Sequence, residues 1–129
     1  MNTKQIFLIE DDPDDQEIFL AALTEFGNDL DCATAVNGFE GFQKLTTEQV
    51  NPAVIFLDLN MPLMNGYEFL EKIKKHDQLK SIPVIILTTS SNPNTVYEVK
   101  QLGAWDMITK PGSYTELVGI LQATLTNIL

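Results

Sequence analysis

The chain is short of positive charge. Its 8 basic residues stand against 18 acidic ones, a formal net charge of −10. Such a surface disfavours non-specific binding to nucleic acid or to an anionic membrane. No apolar run approaches the roughly 20 residues of a membrane-spanning helix. Met1 to Gln5 lack the layout of a signal peptide, so a cytoplasmic location is expected. Cys32 is the only cysteine, which excludes an intrachain disulfide and suits a reducing compartment. It is read as a lone buried thiol. His76 is the only histidine; it ends a helical pattern beside Lys74 and Lys75, where positive charge complements the helix C-terminus. Linkers, internal repeats and low-complexity segments are also missing.

What is present suits one domain over residues 1–129, long enough to bury a single core. Three apolar runs, Ile6–Ile9, Val54–Leu57 and Val84–Leu87, are nearly continuous in Val, Ile, Leu and Phe. Such runs suit strands buried on both faces of a parallel sheet. Ala104–Ile108 is a weaker fourth run, and Cys32–Val36 offers a fifth strand. Helical spacing lies between them: Ile18, Phe19, Ala22, Leu23 and Phe26; Phe39, Phe42 and Leu45; Phe69, Leu70 and Ile73; Val96 and Val99; and Leu117, Ile120, Leu121 and Leu125. Asp12-Pro13 and Asn92-Pro93 each read as an N-cap followed by proline in the first turn. Ser113 and Glu116 have capping-box spacing. Gly27 and Gly103 fall where helices should stop. Strand and helix therefore alternate five times, which predicts an α/β domain with a parallel sheet and right-handed crossovers.

Ligands of a doubly wound sheet bind beyond the carboxyl ends of its strands. The residues there are Glu10-Asp11-Asp12, Asp58, Thr88-Thr89 and Thr109-Lys110-Pro111. Glu10, Asp11 and Asp58 would repel one another if ionised side by side. A hard divalent cation with oxygen ligands removes that conflict, and Mg²⁺ takes one or two carboxylates together with water and a phosphate oxygen. A cation, Lys110 and the Thr88 hydroxyl would orient an incoming phosphoryl group, and Asp58 would be its nucleophilic acceptor. A flavin site on the same fold is disfavoured, because the acidic first loop would repel a bound phosphate.

The motifs Leu8-Ile9-Glu10-Asp11-Asp12, Leu57-Asp58-Leu59-Asn60-Met61-Pro62, Gly66, Thr88 and Lys110-Pro111 occur in this order and at strand ends. In this the chain resembles the receiver domain of bacterial response regulators, of the stand-alone, chemotaxis-regulator kind. The resemblance implies a five-stranded sheet of order 2-1-3-4-5, the flavodoxin-like receiver fold. It implies Asp58 as phosphoacceptor and Mg²⁺ (or Mn²⁺) bound by Asp11, by Asp58, by the backbone carbonyl of Asn60, and by Glu10 mainly through water. Thr88 would bond the phosphoryl oxygen, Lys110 would pair with the acyl phosphate, and Lys110-Pro111 would often be cis. The family also hydrolyses its own aspartyl phosphate, and the resemblance implies that Asn60 and Ser90, two residues past Asp58 and Thr88, would tune that rate. The implied partners are a sensor histidine kinase or a histidine phosphotransfer protein as donor, and a downstream protein target that the sequence does not name. Neither nucleic acid nor membrane is expected as a partner, and no DNA-binding module is expected to follow. Output would use the face of the fourth helix, fifth strand and fifth helix. The family usually has an aromatic ring three residues before the lysine, where this chain has Met107.

Other residues receive structural readings. Asp12, Asp14 and Asp15 complement a helix N-terminus, and Phe39/Phe42 and Met61/Met64 are packing pairs. Trp105 is either a contact residue or a packing residue. Two rival functions share parts of the pattern. A haloacid-dehalogenase-type phosphatase would carry an acid where Asn60 stands. A receiver-like interaction module that is never phosphorylated would not need the complete set.

Overall fold

The structure is a computed structural model and describes residues 4–27, 30–47, 49–61, 63–90 and 92–129. Met1–Thr3 and Pro62 of the third-strand motif lie outside the described residues. Strands β1 (Lys4–Ile9), β2 (Leu30–Ala35), β3 (Val54–Asp58), β4 (Val84–Thr88) and β5 (Asp106–Thr109) alternate with helices α1 (Pro13–Thr24), α2 (Gly38–Thr46), α3 (Gly66–Lys74), α4 (Pro93–Gln101) and α5 (Tyr114–Ile128). All strand pairings are parallel, in the order β2-β1-β3-β4-β5. This is the α/β doubly wound, flavodoxin-like arrangement expected.

Side chains alternate across a strand, and the apolar runs divide accordingly. Ile6, Leu8, Val54, Phe56, Ile85 and Leu87 pack with Phe19, Ala22 and Leu23 of α1 and Leu121 and Leu125 of α5. Phe7, Ile9, Ile55, Leu57, Val84 and Ile86 pack on the other face with Leu45, Phe69, Leu70, Ile73 and Val99 from α2, α3 and α4. Burying one such side chain contributes roughly 1.5–3 kcal/mol. The two cores therefore fix the strand ends from both sides.

The helix ends follow the local chemistry. The Asp12 carboxylate accepts from the Asp14 and Asp15 N–H groups at 2.8 and 3.2 Å, and the Asn92 side chain accepts from Asn94 N–H at 2.9 Å. Ser113 Oγ accepts from Glu116 N–H at 3.2 Å. A complete capping box forms elsewhere, between Asn65 and Glu68. Gly27 and Gly103 follow helix ends with φ of +141° and +102°, a region that favours glycine.

Three expectations are corrected. The weak fifth run forms a strand only from Asp106; Ala104 and Trp105 precede it, although Trp105 N–H still bonds Val84 O at 2.8 Å. Phe39 does not pack inward. Gly38, Gly41 and Leu45 occupy the buried side of α2, which leaves Phe39 exposed. Lys110–Pro111 is not cis; trans is the lower-energy isomer of an X–Pro bond by about 0.5–1 kcal/mol.

Candidate functional site

Glu10 follows β1, Asp58 ends β3 and Thr88 ends β4; all three are buried, at 2%, 5% and 1% exposure. Burial of two acids at strand ends is the first sign of a built site, because acids are rarely buried without partners. Glu10 continues the alternation of Ile6 and Leu8, and Asp58 that of Val54 and Phe56. Both thus lean to the α1/α5 side, where Lys110 meets them. Asp11 and Asn60 lie at the exposed rim.

One carboxylate oxygen each from Glu10, Asp11 and Asp58 lies within 4.8 Å of the others. Lys110 Nζ donates to Glu10 Oε1 at 2.8 Å and to Asp15 Oδ2 at 3.2 Å, and stands 3.8 Å from Asp58 Oδ1. Burial pushes the Glu10 carboxyl up to about 7; the Lys110 hydrogen bond opposes the shift and Asp58 adds to it. For Lys110, burial alone would lower the pKa, but the bond and charge of Glu10, with Asp58 and Asp15, hold it above the usual lysine range. The donor set fits a hard divalent cation: three clustered carboxylate oxygens, two of the acids buried, with one ammonium as the counter-charge among the described residues.

The backbone around these side chains is closely tied. Asn60 N–H approaches Asp58 Oδ1 at 3.3 Å. Ser90 N–H donates to Thr88 Oγ1 at 3.1 Å, and Lys110 N–H donates to Thr88 O at 2.6 Å. Gly66 opens α3 against the end of β3, where its N–H bonds Leu59 O at 3.0 Å. A Cβ there would meet Leu59 Cα at 2.7 Å and Asp58 O at 2.8 Å. The motif glycine is thus required by a close backbone approach directly behind Asp58.

The fold gathers Glu10, Asp11, Asp58 and Lys110, with Thr88 joined to Lys110 through the backbone. Two residues escaped sequence reasoning. Asp15 is a partner of Lys110 as well as a first-turn acid, and Gln16 Nε2 donates to the Glu10 carbonyl at 2.6 Å. Only the start of α1 at Pro13 hinted at them; the partner of Asp15 depends on how α1 meets the β5–α5 loop, and that of Gln16 on how α1 turns back over the end of β1. Met107 is half-buried against the α2–α4 side of the core. Trp105 is exposed at 58%, which settles its alternatives against packing. His76 lies edge-on to Phe42, with ring centroids 5.9 Å apart.

Fold and crevice together define an α/β domain whose acidic strand-end cluster fits a divalent cation. A family model described as the response regulator receiver domain matches residues 6–122, and the chain belongs to that family. It is therefore a receiver domain of two-component signal transduction. It is 36% identical over 107 residues, 83% of this chain, to the probable C4-dicarboxylate response regulator DctR of Bacillus subtilis. It is 37% identical over 114 residues, 88% of this chain, to the transcriptional regulatory protein CrdR of Helicobacter pylori. The chain spans 46% and 51% of the length of those two relatives. Among solved structures, the phosphorylated cyanobacterial phytochrome response regulator RcpA aligns with a TM-score of 0.89 at 31% identity, covering 97% of this chain and 93% of that one. The Mn²⁺-bound form of response regulator Rcp1 aligns with a TM-score of 0.85 at 30% identity, covering 95% and 92%. Among the described residues, no helix is long and apolar enough to cross a membrane.

Proposed function

We propose that Asp58 accepts a phosphoryl group from a phosphohistidine on a sensor histidine kinase or histidine phosphotransfer protein, with Mg²⁺ (or Mn²⁺) as the cation. The observation that carries this reading is the buried Asp58 carboxylate clustered with Glu10 and Asp11, with the Lys110 ammonium 3.8 Å away. Asp11, Asp58 and the Asn60 backbone carbonyl would hold the cation, with Glu10 acting through water. Bound there, it would neutralise charge on the phosphoryl oxygens.

The chain's own residues do the rest. An Asp58 oxygen forms the new O–P bond as the donor's N–P bond breaks; the leaving imidazole nitrogen keeps the electron pair and takes up a proton. Lys110 is set to pair with one phosphoryl oxygen. The Thr88 hydroxyl, at the neighbouring strand end, is set to hydrogen-bond another. Hydrolysis reverses the modification when water forms an O–P bond and the Asp58–phosphorus bond breaks, which releases inorganic phosphate and restores the carboxylate. Turnover of an external phosphoester is not expected, since Asn60 stands where a phosphatase of the competing kind carries its second acid. Residues 1–129 would act as one domain in the cytoplasm and signal by protein–protein contact.

Intact mass after incubation with Mg²⁺ and acetyl phosphate tests this reading. One phosphoryl adduct is expected, absent without Mg²⁺ and absent in Asp58→Asn. An adduct that persists in Asp58→Asn would refute the assignment.

A further inference from the structure

The resting state commits Lys110 elsewhere. An ammonium has three N–H donors, and two of them go to Glu10 at 2.8 Å and Asp15 at 3.2 Å, while Asp58 at 3.8 Å lies beyond hydrogen-bond distance. The two partners differ in kind. Glu10 is 2% exposed and belongs to the carboxylate cluster that fits a cation. Asp15 stands outside that cluster, on the first turn of α1, with its side chain 43% exposed. It is the acid whose engagement with Lys110 serves no cation. Its place is fixed by the helix start, because its own N–H is held by the Asp12 cap at 3.2 Å.

We propose that Asp15 is a positioning residue that competes with the phosphoryl group for Lys110, and so lowers both the rate of phosphorylation and the lifetime of the adduct. This rests on the reading of Asp58 as the acceptor. Among the described residues the third N–H is free for the phosphoryl group, and closing on it draws the ammonium from 3.8 Å toward Asp58, at the expense of the Asp15 bond. The bond it gives up is half-exposed, and such pairs are weak enough to exchange. Asp15 therefore biases the site toward its unmodified state without blocking it.

The test compares wild type with Asp15→Asn, Asp15→Glu and Asp14→Asn at saturating Mg²⁺ with acetyl phosphate, by intact mass over time. Asp15→Asn removes the competing charge. Its phosphorylation is expected to be about two- to five-fold faster and its adduct longer-lived by a similar factor, the range that exposed ion pairs span. Asp15→Glu keeps a carboxylate within reach of Lys110 and should restore wild-type behaviour. Asp14→Asn makes the same change in net charge one residue away, where no ion pair to Lys110 is found among the described residues, and should leave the rates unchanged. The Mg²⁺ dissociation constant, measured by calorimetry, should stay within about two-fold in all four proteins, since Asp15 is outside the cation cluster.

Asp15→Asn rates equal to or below those of wild type would overturn the proposal. So would equal acceleration in Asp14→Asn, which would reduce the effect to bulk charge, or acceleration in Asp15→Glu. If wild type itself takes no phosphoryl group, the assignment of Asp58 fails and the competition fails with it. A phosphorylated wild type with an unaccelerated Asp15→Asn sinks the role of Asp15 alone.

Discussion

Replacing Gly66 with alanine adds one methyl group at the tightest backbone contact of the site. That carbon would lie 2.7 Å from Leu59 Cα and 2.8 Å from Asp58 O. Carbon–carbon contacts are optimal at roughly 3.5–4.0 Å, so α3 must retreat, or the end of β3 must bend, by about 1 Å. Neither is free to move: Gly66 N–H is bonded to Leu59 O at 3.0 Å, and Phe69, Leu70 and Ile73 anchor the same helix in the core. Overpacking of this kind costs about 1–3 kcal/mol. With a urea slope of roughly 1–3 kcal/mol/M, the unfolding midpoint should fall by on the order of 1 M. Gly119→Ala is the matched control. It lies inside α5 with nothing within 4 Å of the added carbon, and should gain about 0.5–1 kcal/mol from helix propensity. The strain in Gly66→Ala falls on the Asp58–Leu59 backbone, so phosphorylation should slow as well. A Gly66→Ala midpoint at or above that of wild type, beside a raised Gly119→Ala midpoint, would refute the close-approach argument.

Other outcomes follow from single groups. The Glu10 carboxyl is raised from 4.5 to about 7 in the folded chain, so the fold binds its proton more tightly than the unfolded chain does. In metal-free buffer this contribution is fully present below pH 4.5 and is lost as pH rises through 7. At about 1.36 kcal/mol per unit, wild type should lose roughly 3 kcal/mol that Glu10→Gln does not lose, as read by urea titration at several pH values. Burial pushes the Cys32 thiol up to about 12; an alkylating reagent at pH 8 should therefore label it slowly until urea unfolds the chain. Leu63 is 75% exposed with φ of +67°, a left-handed geometry that strains side-chain-bearing residues by roughly 1–2 kcal/mol. Leu63→Asn should raise stability by about 0.5–1 kcal/mol, visible as a higher melting temperature, because asparagine tolerates that region.

Much of the fold was legible because its signals are local. The continuous runs around Phe7, Phe56 and Ile86 encode burial on both faces, and Asp12-Pro13 encodes a helix start within four residues. The site acids were legible because a strand end is a fixed place in a doubly wound sheet. The missed features depend on tertiary contact. Lys110 reaches Asp15 only because α1 and α5 share one face of the sheet, and no spacing in the chain states that. Phe39 was misplaced because two glycines, Gly38 and Gly41, form the inner side of α2, and a hydrophobic pattern does not register them. Trp105 was left open between contact and packing because its exposure depends on where β5 begins.

The bond from Lys110 N–H to the Thr88 carbonyl, at 2.6 Å, makes one lever of the end of β4 and the β5–α5 loop. A displacement of the backbone at Thr88 drags the root of the β5–α5 loop with it, through main chain alone. Transmission of this kind needs no ring to swing, so Met107 in place of an aromatic residue does not by itself disconnect the crevice from the surface. The amide resonance of Tyr114, at the start of α5 beyond that loop, should then move with phosphorylation even in Met107→Ala, and a resonance that stays still in that variant would show that the lever is slack.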